Sequence, residues 1–205
     1  MNRRQMLGLL SLVPVAATAV PVIQYFEEKN RPRKIRPTEG YHAEYFPNVT
    51  LRDQDGRKVR LYDDLLKGKN VLINFFYANC KDGVCPVTTE NLVKFQKLLG
   101  DRCGKDVFMY SFSLAPEQDT PARLKHYQGM HGAGPGWTFL TGSPQDLELC
   151  RVRFGFTDPD PELDRAKTQH TNVVLMGNEP HQRWMASPAM TNPEFLLAQM
   201  NRVAG

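Results

Sequence analysis

The sequence predicts an α/β domain in which helices flank a mixed central sheet and a β-hairpin precedes it. Three observations support this prediction. Apolar runs of strand length alternate with segments of helical periodicity, one pair of short strand-like runs flanks a turn sequence near the start, and another pair lies near the end. Strand–helix–strand units imply parallel pairing and hairpins imply antiparallel pairing, so one sheet should contain both.

The N-terminal hairpin is predicted by two alternating runs, residues 49–53 and 58–62, on either side of Asp55-Gly56. Asp-Gly is a favoured hairpin turn because glycine readily adopts positive φ. Residues 71–77, VLINFFY, then form a continuous apolar run of strand length. Such a run is typical of a central strand that is buried on both faces.

Apolar periodicity and turn signals predict the remaining elements. In residues 86–99, Leu92, Phe95 and Leu99 share one helical face, as expected for a helix that packs on a sheet. Further along the chain we expect a strand at 107–114, a helix at 121–130, a strand at 137–140, a helix at 144–154, paired strands at 172–176 and 182–185 across Gly177-Asn178, and a helix at 193–203. This order matches a thioredoxin-like fold.

Four predicted helices begin with a candidate cap followed by proline, which suits the first helical position because it has no N–H to satisfy. These starts are Cys85-Pro86, Thr120-Pro121, Ser143-Pro144 and Asn192-Pro193. Threonine, serine and asparagine are ordinary capping residues, whereas cysteine is not. The cysteine therefore marks the loop before the first of these helices as a candidate functional site.

The net charge of +4 lies entirely in the first 39 residues, which carry seven basic and three acidic side chains. Residues 40–205 are therefore neutral overall and lack the basic excess that supports nucleic-acid binding. The positive charge instead flanks an apolar stretch, which favours a role in export or membrane association.

The apolar stretch covers residues 6–26 and follows Arg3 and Arg4. It resembles a twin-arginine export signal, and it is also long enough for a membrane anchor. Either alternative places the domain outside the cytoplasm, where cysteines can stay oxidised. The expected organisation is an export signal or membrane anchor at 1–26, a linker at 27–39 and the folded domain at 40–205.

Cys80 and Cys85 bracket four residues between the predicted central strand and its helix. The N-terminus of a helix carries partial positive charge, which helps a thiol there to lose its proton. Thiolates attack disulfides and bind soft metals, so a redox pair, a metal clamp and a structural disulfide all stay open. Copper(I) can be held by two thiolates and one imidazole, and His170, just before an apolar strand, is a candidate third ligand.

The sequence resembles the Sco/SenC family of thioredoxin-like copper-binding proteins over most of residues 46–203. The matching segments are 53-DQDGRKVRL-61, the cysteine loop after 71-VLINFFY-77, 116-PEQDTPARLKHY-127, 137-WTFLTG-142 and 170-HTNVVL-175. The resemblance implies a copper ion bound by Cys80, Cys85 and His170. It also implies a domain on the periplasmic side of the bacterial inner membrane that delivers copper to, or reduces the thiols of, the copper site of a cytochrome oxidase subunit.

The chain departs from the family pattern in four places, which are the cysteine spacing, Ala115, Gln169 where aspartate is usual before the histidine, and 175-LMGNEP-180, which lacks the usual aspartate. The family usually places three residues between its cysteines, where this chain has four, and it usually has an acidic residue at the position of Ala115. The alternative function is a periplasmic thiol–disulfide oxidoreductase that acts on an exported, cysteine-containing partner. That function needs Cys80 and Cys85 but not His170.

Two further classes of function are less favoured by the sequence. A thioredoxin-fold peroxidase usually has a proline and a threonine or serine before its reactive cysteine, and 76-FYANCKD-82 lacks both. A scaffold that keeps only the fold would leave the cysteine pair dispensable. The remaining cysteines, Cys103 and Cys150, are expected to be one exposed and one buried free thiol, with a second disulfide as the alternative.

Overall fold

The computed structural model describes residues 44–79, 84–166 and 172–205. Its elements, in chain order, are β1 (Thr50–Asp53), β2 (Lys58–Arg60), a π-helical turn (Leu61–Leu66), β3 (Asn70–Phe76), α1 (Val84–Leu99), a 3₁₀ turn (Gly100–Arg102), β4 (Val107–Ser113), α2 (Pro121–His131), β5 (Trp137–Thr141), α3 (Pro144–Arg153), α4 (Pro161–Ala166), β6 (Val173–Asn178), β7 (Arg183–Pro188) and α5 (Pro193–Ala204). The predicted strands and helices are present, most of them with ends shifted by one or two residues.

The strands form one mixed sheet in the order β2-β1-β5-β4-β3-β6-β7. The strands β3, β4 and β5 pair in parallel, as their helical connections require. Both hairpins are antiparallel, and they join the parallel strands through β1 and β6. The predicted mixed sheet of a thioredoxin-like fold is thus confirmed.

Two apolar clusters cover the two faces of the sheet. The first contains the inward faces of α1, α2 and α5, with buried side chains such as Leu92 and Leu196. The second contains the π-helical turn, α3 and a group of phenylalanines, in which Phe75 stacks on Phe112 at 5.1 Å. Full burial of each such side chain contributes about 1.5–3 kcal/mol. The strand β3 lies between the clusters, which explains its continuous apolar sequence.

Three of the four predicted helix caps are confirmed. The side chains of Thr120, Ser143 and Asn192 each accept a hydrogen bond from a main-chain N–H in the first turn of the helix that follows. The prediction that Cys85 is a cap is wrong, because α1 begins at Val84 and Cys85 is its second residue. Proline is allowed throughout a first helical turn, since those N–H groups have no partner within the helix.

The second hairpin differs from the prediction at its turn. Gly177 and Asn178, expected to form the turn, belong to β6, and the turn that follows includes Gln182 at φ 55°. Glycine is required at 177 because the indole of Trp184 lies against the backbone, where a Cβ would be 2.1 Å from the ring. Asn178 donates from Nδ2 to the carbonyl of Val203 at 3.1 Å, which satisfies the C-terminal end of α5.

The short helix α4 was not predicted, because it has no apolar periodicity. Arg151 of α3 holds it in place, with a side chain that is only 2% exposed. Its guanidinium contacts Asp164 at 2.7 Å and Glu148 at 2.6 Å, and Asp164 also accepts the N–H of Asp158. This buried ion-pair cluster fixes the chain between α3 and α4.

The part of the chain that the structure describes contains no helix that is both long and apolar enough to cross a membrane. The predicted export signal or anchor at 1–26 and the linker at 27–39 lie outside the described residues.

Candidate metal and redox site

Cys85 lies at the carboxyl end of β3, in the first turn of α1, and is 1% exposed. Its Sγ accepts a hydrogen bond from the main-chain N–H of Tyr77 at 3.5 Å. Both this donor and the partial positive charge of the helix N-terminus stabilise negative charge on sulfur. The position therefore suits a thiolate, which is the reactive and metal-binding form of cysteine.

The other two predicted site residues, Cys80 and His170, lie outside the described residues. The elements beside them are described, and they meet at one edge of the sheet. β6, which begins three residues after His170, runs antiparallel to β3 with Ile73 opposite Leu175. The start of β6 therefore lies at the end of β3 from which the cysteine loop departs. Within the described ranges, no three His, Cys, Asp or Glu side chains are grouped so that they could hold a metal ion.

A buried carboxylate, Asp119, lies at the same edge of the sheet and is 1% exposed. Its Oδ2 accepts a hydrogen bond from the Ser113 hydroxyl at 2.6 Å and a longer one from the Ala78 N–H at 3.4 Å. The Ser113 hydroxyl also accepts the N–H of Ala115 at 3.0 Å. The carboxylate thus connects the end of β4 with the main chain that leads into the cysteine loop.

Sequence reasoning missed Asp119 and Ser113. One signal in the sequence could have found both residues. They lie at or just after the end of β4, the strand that pairs in parallel with β3. The carboxyl ends of parallel strands meet at one edge of a sheet, so polar residues there lie close to the cysteine loop.

The two remaining cysteines are free thiols on opposite faces of the sheet, so the alternative of a second disulfide is wrong. Cys150 is buried as expected, but Cys103 is half-buried instead of exposed, because it packs against the first apolar cluster. Burial raises the pKa of both thiols, and at Cys103 this outweighs the opposing effect of a hydrogen bond from Gln96. Neither environment favours a thiolate.

Comparison with known proteins agrees with this geometry. A family model described as SCO1/SenC matches residues 38–205. A SCO1 protein homolog from Bacillus subtilis is 35% identical over 148 residues, which cover 71% of this chain and 73% of that protein.

Solved structures are similar at lower identity, and two of them bear on the site. BsSco, described as a member of the Sco family of cytochrome c oxidase assembly proteins with a disulfide switch, is 27% identical, with 76% of this chain and 91% of that chain covered and a TM-score of 0.61. Bradyrhizobium japonicum ScoI with copper bound is 26% identical, with 75% and 96% covered and a TM-score of 0.56. The chain belongs to the SCO1/SenC family.

Proposed function

We propose that this protein binds one copper ion through Cys80, Cys85 and His170 and supports assembly of the copper site of a respiratory oxidase. The observation that carries the proposal is the Cys85 sulfur, which lies in the first turn of a helix and accepts the N–H of Tyr77. A thiol stabilised as thiolate is a ligand that copper(I) prefers. Membership of the family and the copper in the ScoI structure support copper as the ion.

The edge of the sheet that the site occupies supports this ligand set. Cys80 is one residue past Asn79, the last described residue before the loop, and His170 is three residues before Val173 of β6. These neighbours lie at the same end of the sheet as Cys85. Two thiolates and one imidazole complete a set that suits copper(I).

The proposed setting is the periplasmic side of the bacterial inner membrane. Support comes from the two arginines and the apolar residues 6–26, which fit an export signal or an anchor. The domain at 40–205 then faces a compartment in which its partner would be a cytochrome oxidase subunit or another exported protein with cysteines. The description of BsSco supports the oxidase as the partner.

Competition for copper(I) tests the ligand set. The reduced full-length protein is titrated with copper(I) in the presence of a strong copper(I) chelator, and the bound copper is counted. We expect one copper in the parent and a loss of at least a hundredfold in affinity in Cys85→Ser and in His170→Ala, since each removes one of three ligands.

Matched controls come from the same residue types at sites away from the cysteine loop. Cys103→Ser changes a half-buried thiol, and His181→Ala changes an exposed histidine in the turn after β6. Both should bind copper as the parent does. A parent that retains no copper would contradict the proposal, and retention by His170→Ala would contradict the third ligand.

A second candidate function is thiol–disulfide exchange with an exported partner. It is favoured by the disulfide switch described for BsSco and by the same thiolate-stabilising contacts at Cys85. Exchange needs only the cysteine pair, so His170→Ala should reduce a model disulfide at the rate of the parent, whereas Cys85→Ser should not turn over. Equal rates in the parent and Cys85→Ser would exclude exchange at this site.

A further inference from the structure

Asp119 is bonded to the main chain at the point where the cysteine loop begins. Its Oδ2 accepts from Ala78, which is two residues before Cys80, and from the Ser113 hydroxyl at the end of β4. The Ser113 bond is short, at 2.6 Å, and it fixes the carboxylate to a strand of the central sheet. The Ala78 bond then ties the start of the loop to that strand.

Burial of this carboxylate is incompletely compensated. Its Oδ1 is buried and accepts no hydrogen bond from any residue that the structure describes. Burial of an unsatisfied carboxylate oxygen costs stability. Asp119 directly precedes Thr120, the cap of α2, so the positive end of that helix offsets part of the charge. The helix gives Oδ1 no donor among the described residues, so burial of this carboxylate has a cost in stability that its Oδ2 bonds offset only in part.

Cys85 and the chain before Cys80 belong to different parts of the fold. Cys85 is fixed by α1 and by the N–H of Tyr77. The chain that leads to Cys80 leaves β3 at Phe76, and the Ala78 N–H in that chain donates to Asp119. The stability of a disulfide depends on the effective concentration of one thiol at the other, which falls when either chain is released.

We propose that Asp119 is a positioning residue for the cysteine pair: its carboxylate holds the entry to the loop, and this stabilises the Cys80–Cys85 disulfide relative to the dithiol. The inference rests on the proposed function, because it takes the two cysteines as a reversible pair. In the reaction concerned, the protein disulfide and two glutathione molecules exchange two electrons to give the protein dithiol and one glutathione disulfide, and the thiol protons come from glutathione.

Equilibration of the full-length protein in glutathione buffers of known ratio tests the proposal. The thiols are trapped by alkylation, and peptide mass spectrometry reads Cys80 and Cys85 separately from the other cysteines. Asp119→Ala should lower the equilibrium constant for the disulfide about tenfold, which makes the reduction potential about 30 mV less negative. Asp119→Asn keeps a carbonyl oxygen for Ala78 and Ser113, so it should stay within about twofold of the parent.

Two further variants keep the test valid if Asp119→Ala folds poorly. Ser113→Ala frees the carboxylate from β4 and should shift the equilibrium in the same direction by about threefold, since one bond of the chain is lost. Glu179→Ala removes a buried carboxylate at the opposite end of the sheet and should leave the equilibrium unchanged.

The outcomes separate the inference from the function on which it rests. One outcome is a reversible disulfide–dithiol equilibrium in the parent that is the same in Asp119→Ala and in Ser113→Ala. That result would overturn the positioning role alone. A shift in Asp119→Asn as large as in Asp119→Ala would also overturn it, because the charge and not the hydrogen bonds would then set the potential. A parent in which Cys80 and Cys85 never form a disulfide would overturn the redox pair and this inference together.

Discussion

The two ends of the central sheet each hold a buried carboxylate, and the two are bonded differently. At the end away from the cysteines, Glu179 has both oxygens satisfied, by the Tyr62 hydroxyl at 2.6 Å and the Gly68 N–H at 2.8 Å. At the cysteine end, Asp119 uses one oxygen for both of its donors, and the other has none among the described residues. The carboxylate with incomplete hydrogen bonds among the described residues therefore lies at the end of the sheet that holds the proposed copper and redox site.

The two ends of α1 show the same contrast for thiols. Cys85 lies in the first turn, where main-chain N–H groups stabilise negative charge, and its sulfur accepts one of them directly. Cys103 follows the last turn, and burial raises its pKa despite the hydrogen bond from Gln96. The start of α1 therefore holds a thiol beside main-chain donors, and a thiol of raised pKa lies four residues past the end of that helix.

The largest expected effect comes from Glu179→Gln. The glutamine carbonyl can keep the Gly68 N–H, but the Tyr62 hydroxyl must then accept from the amide, and its short bond to a charged carboxylate is lost. The free energy of unfolding should fall by about 2 kcal/mol. Asp119→Asn, the matched change, should cost about 1 kcal/mol or less, because Oδ1 has no donor to lose among the described residues. Urea unfolding of both variants measures the difference, and an equal loss at the two positions would break the comparison.

Two adjacent threonines in α1 allow a buried hydroxyl with a partner to be compared with one that has none among the described residues. Thr88 and Thr89 are both 2% exposed. The Thr89 hydroxyl bonds the Tyr127 hydroxyl at 2.8 Å, whereas the Thr88 hydroxyl has no partner among the described residues. Thr89→Val should lower the free energy of unfolding by about 1.5 kcal/mol, and Thr88→Val should change it by no more than about 0.5 kcal/mol.

Thermal unfolding of the two valine variants in parallel checks this prediction. The substitution is isosteric and identical at both sites, so any difference between the variants reports the hydrogen bond. A loss at Thr88 equal to that at Thr89 would mean that its hydroxyl is bonded after all.

The smallest expected effect concerns the pH dependence of alkylation at Cys103. Its pKa is raised by burial, so the thiolate fraction should still be rising at pH 10, where a cysteine of ordinary pKa near 8.5 is almost fully ionised. Alkylation of the folded, reduced protein followed by peptide mass spectrometry gives the rate at each pH. Cys150, which is fully buried, should remain unmodified throughout. A plateau for Cys103 below pH 8.5 would contradict the assigned environment.

Most of the fold could be predicted because local signals and tertiary packing agree. The run VLINFFY forms a strand buried on both faces, and Thr120, Ser143 and Asn192 cap their helices as their sequences indicate. The prediction failed at Gly177, where the glycine accommodates the ring of Trp184 instead of a turn. A contact of this kind depends on the strand opposite, which local sequence does not reveal.

The candidate site was only partly predictable. Cys85 could be found from its place between a strand and a helix, but its exact helical position could not, because proline fits any residue of a first turn. Asp119 could not be assigned a role from its neighbours in sequence. One of its partners, Ala78, follows β3, and the other, Ser113, is the last residue of β4. The signal for such residues is the parallel pairing of β3 with β4, and not the sequence around Asp119.

The central claim is that two thiolates and one imidazole hold the copper ion, and X-ray absorption at the copper edge tests it most directly. The spectrum is recorded on the reduced full-length protein loaded with one equivalent of copper(I). We expect scattering from two sulfur atoms and one nitrogen, with the nitrogen lost in His170→Ala. A spectrum with sulfur ligands alone, unchanged in His170→Ala, or one with no sulfur, would contradict the claim.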